Sequence, residues 1–91
     1  MSVVIEIPSA LRQYVNDKDK IEVHGNSVEE AFDFLCKDFS GLKPNLFNES
    51  GKVLNFINVY LNDDDIRYMD GMKSKVQDGD CIQIVPSIAG G

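Results

Sequence analysis

The chain has 91 residues, with nine Lys and Arg against fifteen Asp and Glu for a net charge of −6. That is room for one domain, whose core buries a little over ~60% of the surface that the unfolded chain exposes. The acidic balance argues against nucleic acid and anionic membrane surfaces, which need a basic face, and fits a partner that offers basic patches. No run approaches the ~20 apolar residues of a membrane span, and the start of the chain has neither a basic n-region nor a cleavage site. Cys36 and Cys81 stand far apart, without CxxC or Cys/His spacing. Reduced, partly buried thiols in a cytoplasmic protein are therefore expected.

Val3-Val4-Ile5-Glu6-Ile7 is β-branched and stops at Pro8, which predicts a strand. Ser9 to Asp19 is polar and turn-rich around Leu11 and Tyr14. Lys20-Ile21-Glu22-Val23 alternates and predicts a second strand, hairpinned to the first and ended by Gly25-Asn26. Ser27-Val28-Glu29-Glu30 is a capping box: the Ser27 hydroxyl can accept the Glu30 amide, and Glu30 can reach back to the Ser27 amide. The helix that follows carries Val28, Ala31, Phe32, Leu35 and Phe39 along one face. Phe34 falls off that stripe, and Gly41 suits the C′ position that ends the helix. Gly41 to Asn55 reads as an irregular segment pinned by Leu42, Leu46 and Phe47.

Phe56-Ile57-Asn58-Val59-Tyr60-Leu61 alternates most cleanly, with Ile57, Val59 and Leu61 on one face and Phe56, Asn58 and Tyr60 on the other. Asn62 to Asp65 is a turn, and Ile66 to Met69 a short fourth strand. Asp70-Gly71 and Asp78-Gly79-Asp80 are turn signals. Cys81 to Val85 is the last strand, with Ile82 and Ile84 facing inward. The order strand, strand, helix, strand, strand, strand predicts an α+β domain: a mixed sheet of about five strands on one main helix, with the apolar first and last strands at its centre. This is the β-grasp, or ubiquitin-like, arrangement.

One helix covers one face of a sheet. The other face, with Val4, Phe56, Asn58, Tyr60, Gln83 and Val85, is left for water or a partner. Its two aromatics and two valines make a half-apolar platform, and Phe56, Asn58, Tyr60, Gln83 and Val85 are the expected docking surface. After the last strand, Pro86-Ser87-Ile88-Ala89-Gly90-Gly91 ends in two glycines. With no Cβ, glycine lets a backbone thread a narrow channel and leaves a terminal carboxylate uncrowded. A flexible tail over residues 87–91 is thus expected to follow a β-grasp domain over residues 1–86. Fully extended, it spans about 16 Å at ~3.3 Å per residue.

A β-grasp body followed by Pro-Ser-Ile-Ala-Gly-Gly resembles the ubiquitin-like sulfur carriers of the MoaD/ThiS group, over the whole chain. Three stretches are similar to the branch serving thiocarboxylate-dependent cysteine biosynthesis, the CysO-like carriers. They are Ile7-Pro8-Ser9-Ala10-Leu11-Arg12, the run from Asn58 to Arg67, and Asp78-Gly79-Asp80 leading into the terminal strand.

The resemblance implies a cosubstrate and not an enzyme. An ATP-dependent adenylyltransferase/sulfurtransferase of the ubiquitin-activating type would adenylate the Gly91 carboxylate, and sulfur would then displace AMP to leave a thiocarboxylate. Ser87, Ile88, Ala89 and Gly90 would thread into the partner, with Ile88 as anchor. A pyridoxal-phosphate-dependent cysteine synthase would accept the sulfur, and a zinc metallopeptidase would release the cysteine. Two alternatives share the diglycine. One is the small subunit of molybdopterin synthase, with the large subunit as partner. The other is a protein modifier joined through Gly91 to lysines.

The chain itself offers no P-loop, no metal-spaced His/Cys set and no Schiff-base lysine context, so ATP, zinc and pyridoxal phosphate belong to the partners. Asp63-Asp64-Asp65 lacks the alternation and glycine of a calcium loop and reads as a solvated turn. His24, Lys73 and Lys75 read as strand-end and turn residues, and Cys36 and Cys81 as packing residues.

Overall fold

A computed structural model describes residues 2–87. Strand β1 (Ser2–Glu6) and strand β2 (Lys20–His24) form an antiparallel hairpin in which Ile5 faces Ile21 and Val3 faces Val23. A 3-10 turn over Ser9–Tyr14 lies between them and buries Leu11. Helix α1 (Val28–Asp38) follows.

The Ser27 hydroxyl accepts the Glu30 amide at 3.2 Å, as the capping box requires. The other half of the box shifts by one residue: Glu30 Oε1 accepts the amide of Asn26, at 3.0 Å, and not that of Ser27. A further amide at this end, that of Val28, donates to the carbonyl of the buried Ser74, which fastens the helix start to the loop before the last strand. Gly25 is needed at the entry because a Cβ there would stand 2.8 Å from the Ala31 nitrogen.

The far end of α1 differs from the expectation. Phe39 caps the helix, and Gly41 lies in the 3-10 turn Ser40–Leu42. Its φ is not positive, so Gly41 is no αL cap. What it provides is closeness: a Cβ there would meet the Tyr14 ring at 3.2 Å. The segment read as irregular contains a one-turn helix α2 (Lys43–Leu46) that buries Leu46; Pro44 sits in its first turn, where a missing N–H costs nothing. Phe34, off the helix stripe, packs edge to face on His24 at 5.4 Å.

Strand β3 (Ile57–Leu61) is followed by β4 (Asp64–Asp65) and, after further 3-10 turns, by β5 (Cys81–Pro86). The sheet order is β2-β1-β5-β3-β4, parallel between β1 and β5 and antiparallel elsewhere. The first and last strands are central, as expected. The fourth strand is not where the sequence suggested: it is Asp64–Asp65, and Ile66–Tyr68 is a 3-10 turn. The Asp65 carboxylate accepts the Arg67 amide at 2.9 Å and curls the chain out of the sheet, while Ile66 enters the core.

One face of the sheet carries Val3, Ile5, Ile57, Val59, Leu61, Ile82 and Ile84 into a core closed by Val28, Ala31, Phe32 and Leu35 of α1. Each such side chain, fully buried, stabilises the fold by roughly 1.5–3 kcal/mol before entropy is counted. None of the described helices is long and apolar enough to cross a membrane.

Candidate functional site

The open face of the sheet is built by the residues alternate to the core set. Strand register orders it in rows. Val4 lies beside Cys81; Glu6 beside Gln83, which lies beside Tyr60, itself beside Asp65; and Val85 lies beside Asn58. Phe56 is not part of β3. It precedes the strand, yet its carbonyl accepts the Ser87 amide and extends the β3–β5 ladder by one more pair. Phe56 and Val85 are 49% and 41% exposed, values at which large apolar side chains are available for contact. Asn58, Tyr60 and Gln83 are half-buried on the same sheet.

Val4 stands apart from this apolar end. The row of Glu6, Gln83 and Tyr60 lies between Val4 and Val85 in the register. The expected platform of two aromatics and two valines is therefore divided by a polar row. Glu6 is the residue that sequence reasoning missed. Its alternation with Val4 was visible, but its neighbours were set by a parallel pairing to a strand more than seventy positions away. Glu6 Oε2 accepts the Cys81 thiol at 3.0 Å, and Oε1 accepts Gln83 Nε2 at 3.5 Å.

The thiol's hydrogen bond holds the Glu6 carboxyl below the ordinary carboxylate value, against the opposing pull of partial burial. In turn burial, followed by the Glu6 hydrogen bond and charge, pushes the Cys81 thiol up to about 11. A thiol so placed is a packing and hydrogen-bonding group at neutral pH and not a nucleophile. Cys36 is likewise half-buried, and burial raises its thiol.

The hairpin joining β3 to β4 turns on Asn62 and Asp63, with φ of 50° and 74°. Both central residues of such a two-residue turn take positive φ. Asn62 also stitches the turn to β5. Its side-chain Nδ2 donates to Asp80 Oδ1 at 3.0 Å, and its side-chain Oδ1 accepts the Cys81 backbone amide at 3.0 Å. Asp65 pairs with Arg67 at 2.7 Å, and the hydrogen bonds from the Arg67 side chain and amide hold its carboxyl below the usual range. The three successive acids are thus one turn residue, Asp63, and the short strand β4. Among the described residues, no group of three His, Cys, Asp or Glu side chains is arranged to hold a metal ion. Lys73 pairs with Glu29 of α1 at 2.9 Å across an exposed surface. A cavity of about 640 Å³ is lined by Phe47, Leu54, Ile57, Ile66 and Met72 and bordered by both signs of charge from Glu29, Asp33, Lys43, Lys52 and Arg67.

Ser87 is the last described residue, and it leaves the sheet at the apolar end of the open face, beside Phe56 and Val85. The remaining tail residues singled out from the sequence, Ile88, Ala89, Gly90 and Gly91, lie outside the described residues.

Comparison with known proteins is decisive for the family. The ThiS family model matches residues 5–91. The chain belongs to the ThiS family. It is 32% identical over 93 residues to the sulfur carrier protein CysO of Mycobacterium tuberculosis, covering 100% of both chains. A small archaeal modifier protein of Haloferax volcanii is 35% identical over 65 residues, or 71% of this chain and 70% of the relative. Among solved structures, one from the BexX/CysO complex of Amycolatopsis orientalis superposes with a TM-score of 0.90 at 38% identity, over 98% of this chain and 99% of that one. The chain is a β-grasp protein of the ubiquitin-like sulfur-carrier type, as the resemblance implied.

Proposed function

We propose that this protein carries sulfur as a thiocarboxylate on Gly91 and delivers it for cysteine biosynthesis. The Gly91 carboxylate attacks the α-phosphate of ATP in a separate activating enzyme, and pyrophosphate leaves. A sulfur nucleophile then attacks the acyl carbon, and AMP leaves. A carboxylate is a poor electrophile, and adenylation supplies the leaving group it lacks. The thiocarboxylate ionises readily near neutral pH and is a softer nucleophile than its oxygen parent. It would attack an aminoacrylate held on the pyridoxal phosphate of a cysteine synthase. An S-to-N acyl shift would then leave cysteine amide-linked to Gly91, for release by a zinc metallopeptidase.

The observation that carries this reading is the collinearity of the chain with carriers called CysO from end to end, with the family match running through residue 91. The geometry is compatible. Ser87 departs beside Phe56 and Val85, so a partner gripping that end would receive the tail at its own surface. Phe56, Asn58, Tyr60, Gln83 and Val85 are the docking residues of this proposal, and Ser87, Ile88, Ala89 and Gly90 the threading segment. The setting is the cytoplasm.

Deleting Gly91 should abolish sulfur loading and leave the urea unfolding midpoint where it was. Intact-mass spectrometry of protein from its native host should show a fraction heavier by one oxygen-to-sulfur exchange, absent from the truncated form. A truncated protein that still acquires sulfur would sink the assignment. The similarity to an archaeal modifier protein favours a second reading, conjugation through Gly91 to lysines of other proteins. Branched Gly-Gly remnants on lysines, with no sulfur-bearing fraction, would select it.

A further inference from the structure

The cavity of about 640 Å³ that borders β3 has no part in the chemistry proposed above. Its floor is apolar: Phe47, Val53, Leu54 and Met72 line it and are only partly buried against the core. One wall is the loop that leads into β3, and that loop is held in shape. Asn48 Oδ1 accepts the amides of Ser50 and Lys52 at 2.9 and 3.1 Å, and the Asn48 amide donates to the Lys52 carbonyl at 2.8 Å. A second wall is the outer edge of β3, through Ile57 and Val59. The short strand β4 pairs only with Tyr60 and Leu61. Phe56 and Asn58 turn their backbone groups toward β5, which leaves those of Ile57 and Val59 for the outer edge. The Ile57 amide donates to the Leu54 carbonyl at 3.0 Å. Among the described residues, no strand covers Val59 on that side.

The rim reverses the charge balance of the chain. The whole carries −6, yet three of its nine Lys and Arg border this cavity, against two of its fifteen Asp and Glu. Two of those five charges are matched by residues outside the cavity: Arg67 by Asp65 at 2.7 Å, and Glu29 by Lys73 at 2.9 Å. Lys43 and Lys52 are exposed, and among the described residues neither pairs with a carboxylate. An apolar floor, an uncovered strand edge and two lysines suit an extended segment that carries an apolar side chain and ends in a carboxylate.

The sequence itself contains such a segment. Four residues follow Ser87: Ile88, Ala89, Gly90 and Gly91. The Ser87 amide is fixed on the Phe56 carbonyl, and the cavity wall begins one residue before Phe56, at Asn55. Extended, four residues reach about 13 Å at ~3.3 Å each. We propose that, in the free protein, this cavity receives the chain's own segment 88–91, with Ile88 on the apolar floor and the Gly91 carboxylate beside Lys43 and Lys52. The inference rests on the sulfur-carrier reading only for the meaning of the Gly91 end: the end that carries sulfur is parked on its own domain until a partner takes it. Cavity and partner then compete for one segment, and the partner's apparent affinity is reduced to the fraction of chains whose tail is free.

The test uses the full chain alone, labelled with ¹³C and ¹⁵N. NMR should show NOEs from the Ile88 methyl groups to Phe47, Val53, Leu54 and Met72. Ile88→Ser should remove them and shift the amides of the same four residues. Replacing both lysines, Lys43→Gln with Lys52→Gln, should weaken the NOEs about threefold, and so should high salt. Both lysines are exposed, so the double variant should keep the core resonances of the parent.

Ile88 NOEs that reach only Phe56 and Val85, or none beyond its neighbours in sequence, would overturn the proposal. NOEs that persist at full strength without the two lysines would overturn it as well, because the carboxylate would then have no part in the seating. In a mixture of labelled and unlabelled chains, NOEs that cross between copies would mean that the tail of a second molecule fills the cavity, which also overturns it. None of these results depends on sulfur loading. Failure of the carrier reading, seen by intact mass, and failure of the parked tail, seen by NOEs, are therefore separate outcomes.

Discussion

The two faces of this sheet are drawn from the same strands, one residue to each side in turn. The helix-facing side is uniform: Val3, Ile5, Ile57, Val59, Leu61, Ile82 and Ile84 are all buried. The open side is graded along the strands. It runs from Val4 and Cys81, through the polar row of Glu6, Gln83 and Tyr60, to Val85 and Phe56 where the chain leaves the sheet. A face that packs on its own helix is filled by whatever excludes water best, so one chemistry recurs. On the docking role proposed for it, the open face would keep different chemistries in different places, because contact, orientation and charge are separate requirements of recognition. The contrast predicts that core substitutions act on stability and open-face substitutions on association, with little crossover.

The largest effect should follow Phe32→Ala. Phe32 is 1% exposed and stacks edge to face on Phe47 at 6.0 Å. Its removal leaves a ring-sized void and should cost about 3–5 kcal/mol. For a domain of this size that lowers Tm by about 15 °C or more, readable in a thermal melt. On the other face, Phe56→Asp should change unfolding free energy by no more than ~0.5 kcal/mol. It should weaken affinity for the activating enzyme at least about tenfold. The two substitutions cross-check each other. A thermal melt that collapses for Phe56→Asp would mean that the faces are not separated as described.

What was legible in the sequence divides along the same line. The core set follows from alternation and helical spacing, which are local, and the central place of the first and last strands follows from their apolar content. The Ser27–Glu30 cap was local as well. Three things were not. The fourth strand was displaced to Asp64–Asp65 because the carboxylate of Asp65 captures the Arg67 amide, and no β-propensity reports that choice. Helix α2 was hidden behind Pro44, which breaks a helix in its interior but starts one at its first turn. The pairing of Glu6 with Cys81 joins residues 75 positions apart. Only the parallel register of β1 and β5 brings them together. The open face therefore had a legible membership and an illegible arrangement, and it was the arrangement that separated Val4 from Val85.

That polar row also gives the smallest effect, one that tests the contrast at its least obvious point. The Cys81 thiol titrates near 11 in the folded chain, above its ordinary 9.0. Below about pH 9 both folded and unfolded chains keep the proton, so this group makes stability independent of pH there. Between pH 9 and about 11 the unfolded chain releases it while the folded chain retains it. Stability should therefore fall as pH rises through that window. Glu6→Gln removes the carboxylate charge but leaves the burial of the thiol, which is the first cause of the shift. In a Cys36→Ser background at pH 9, the substitution should speed iodoacetamide alkylation of Cys81 by roughly threefold, and no more, because burial is untouched. A tenfold or greater gain would make the carboxylate the main hold on the proton. An unchanged rate would mean that Glu6 does not hold it at all, and that Cys81 is a packing residue that the polar row merely borders.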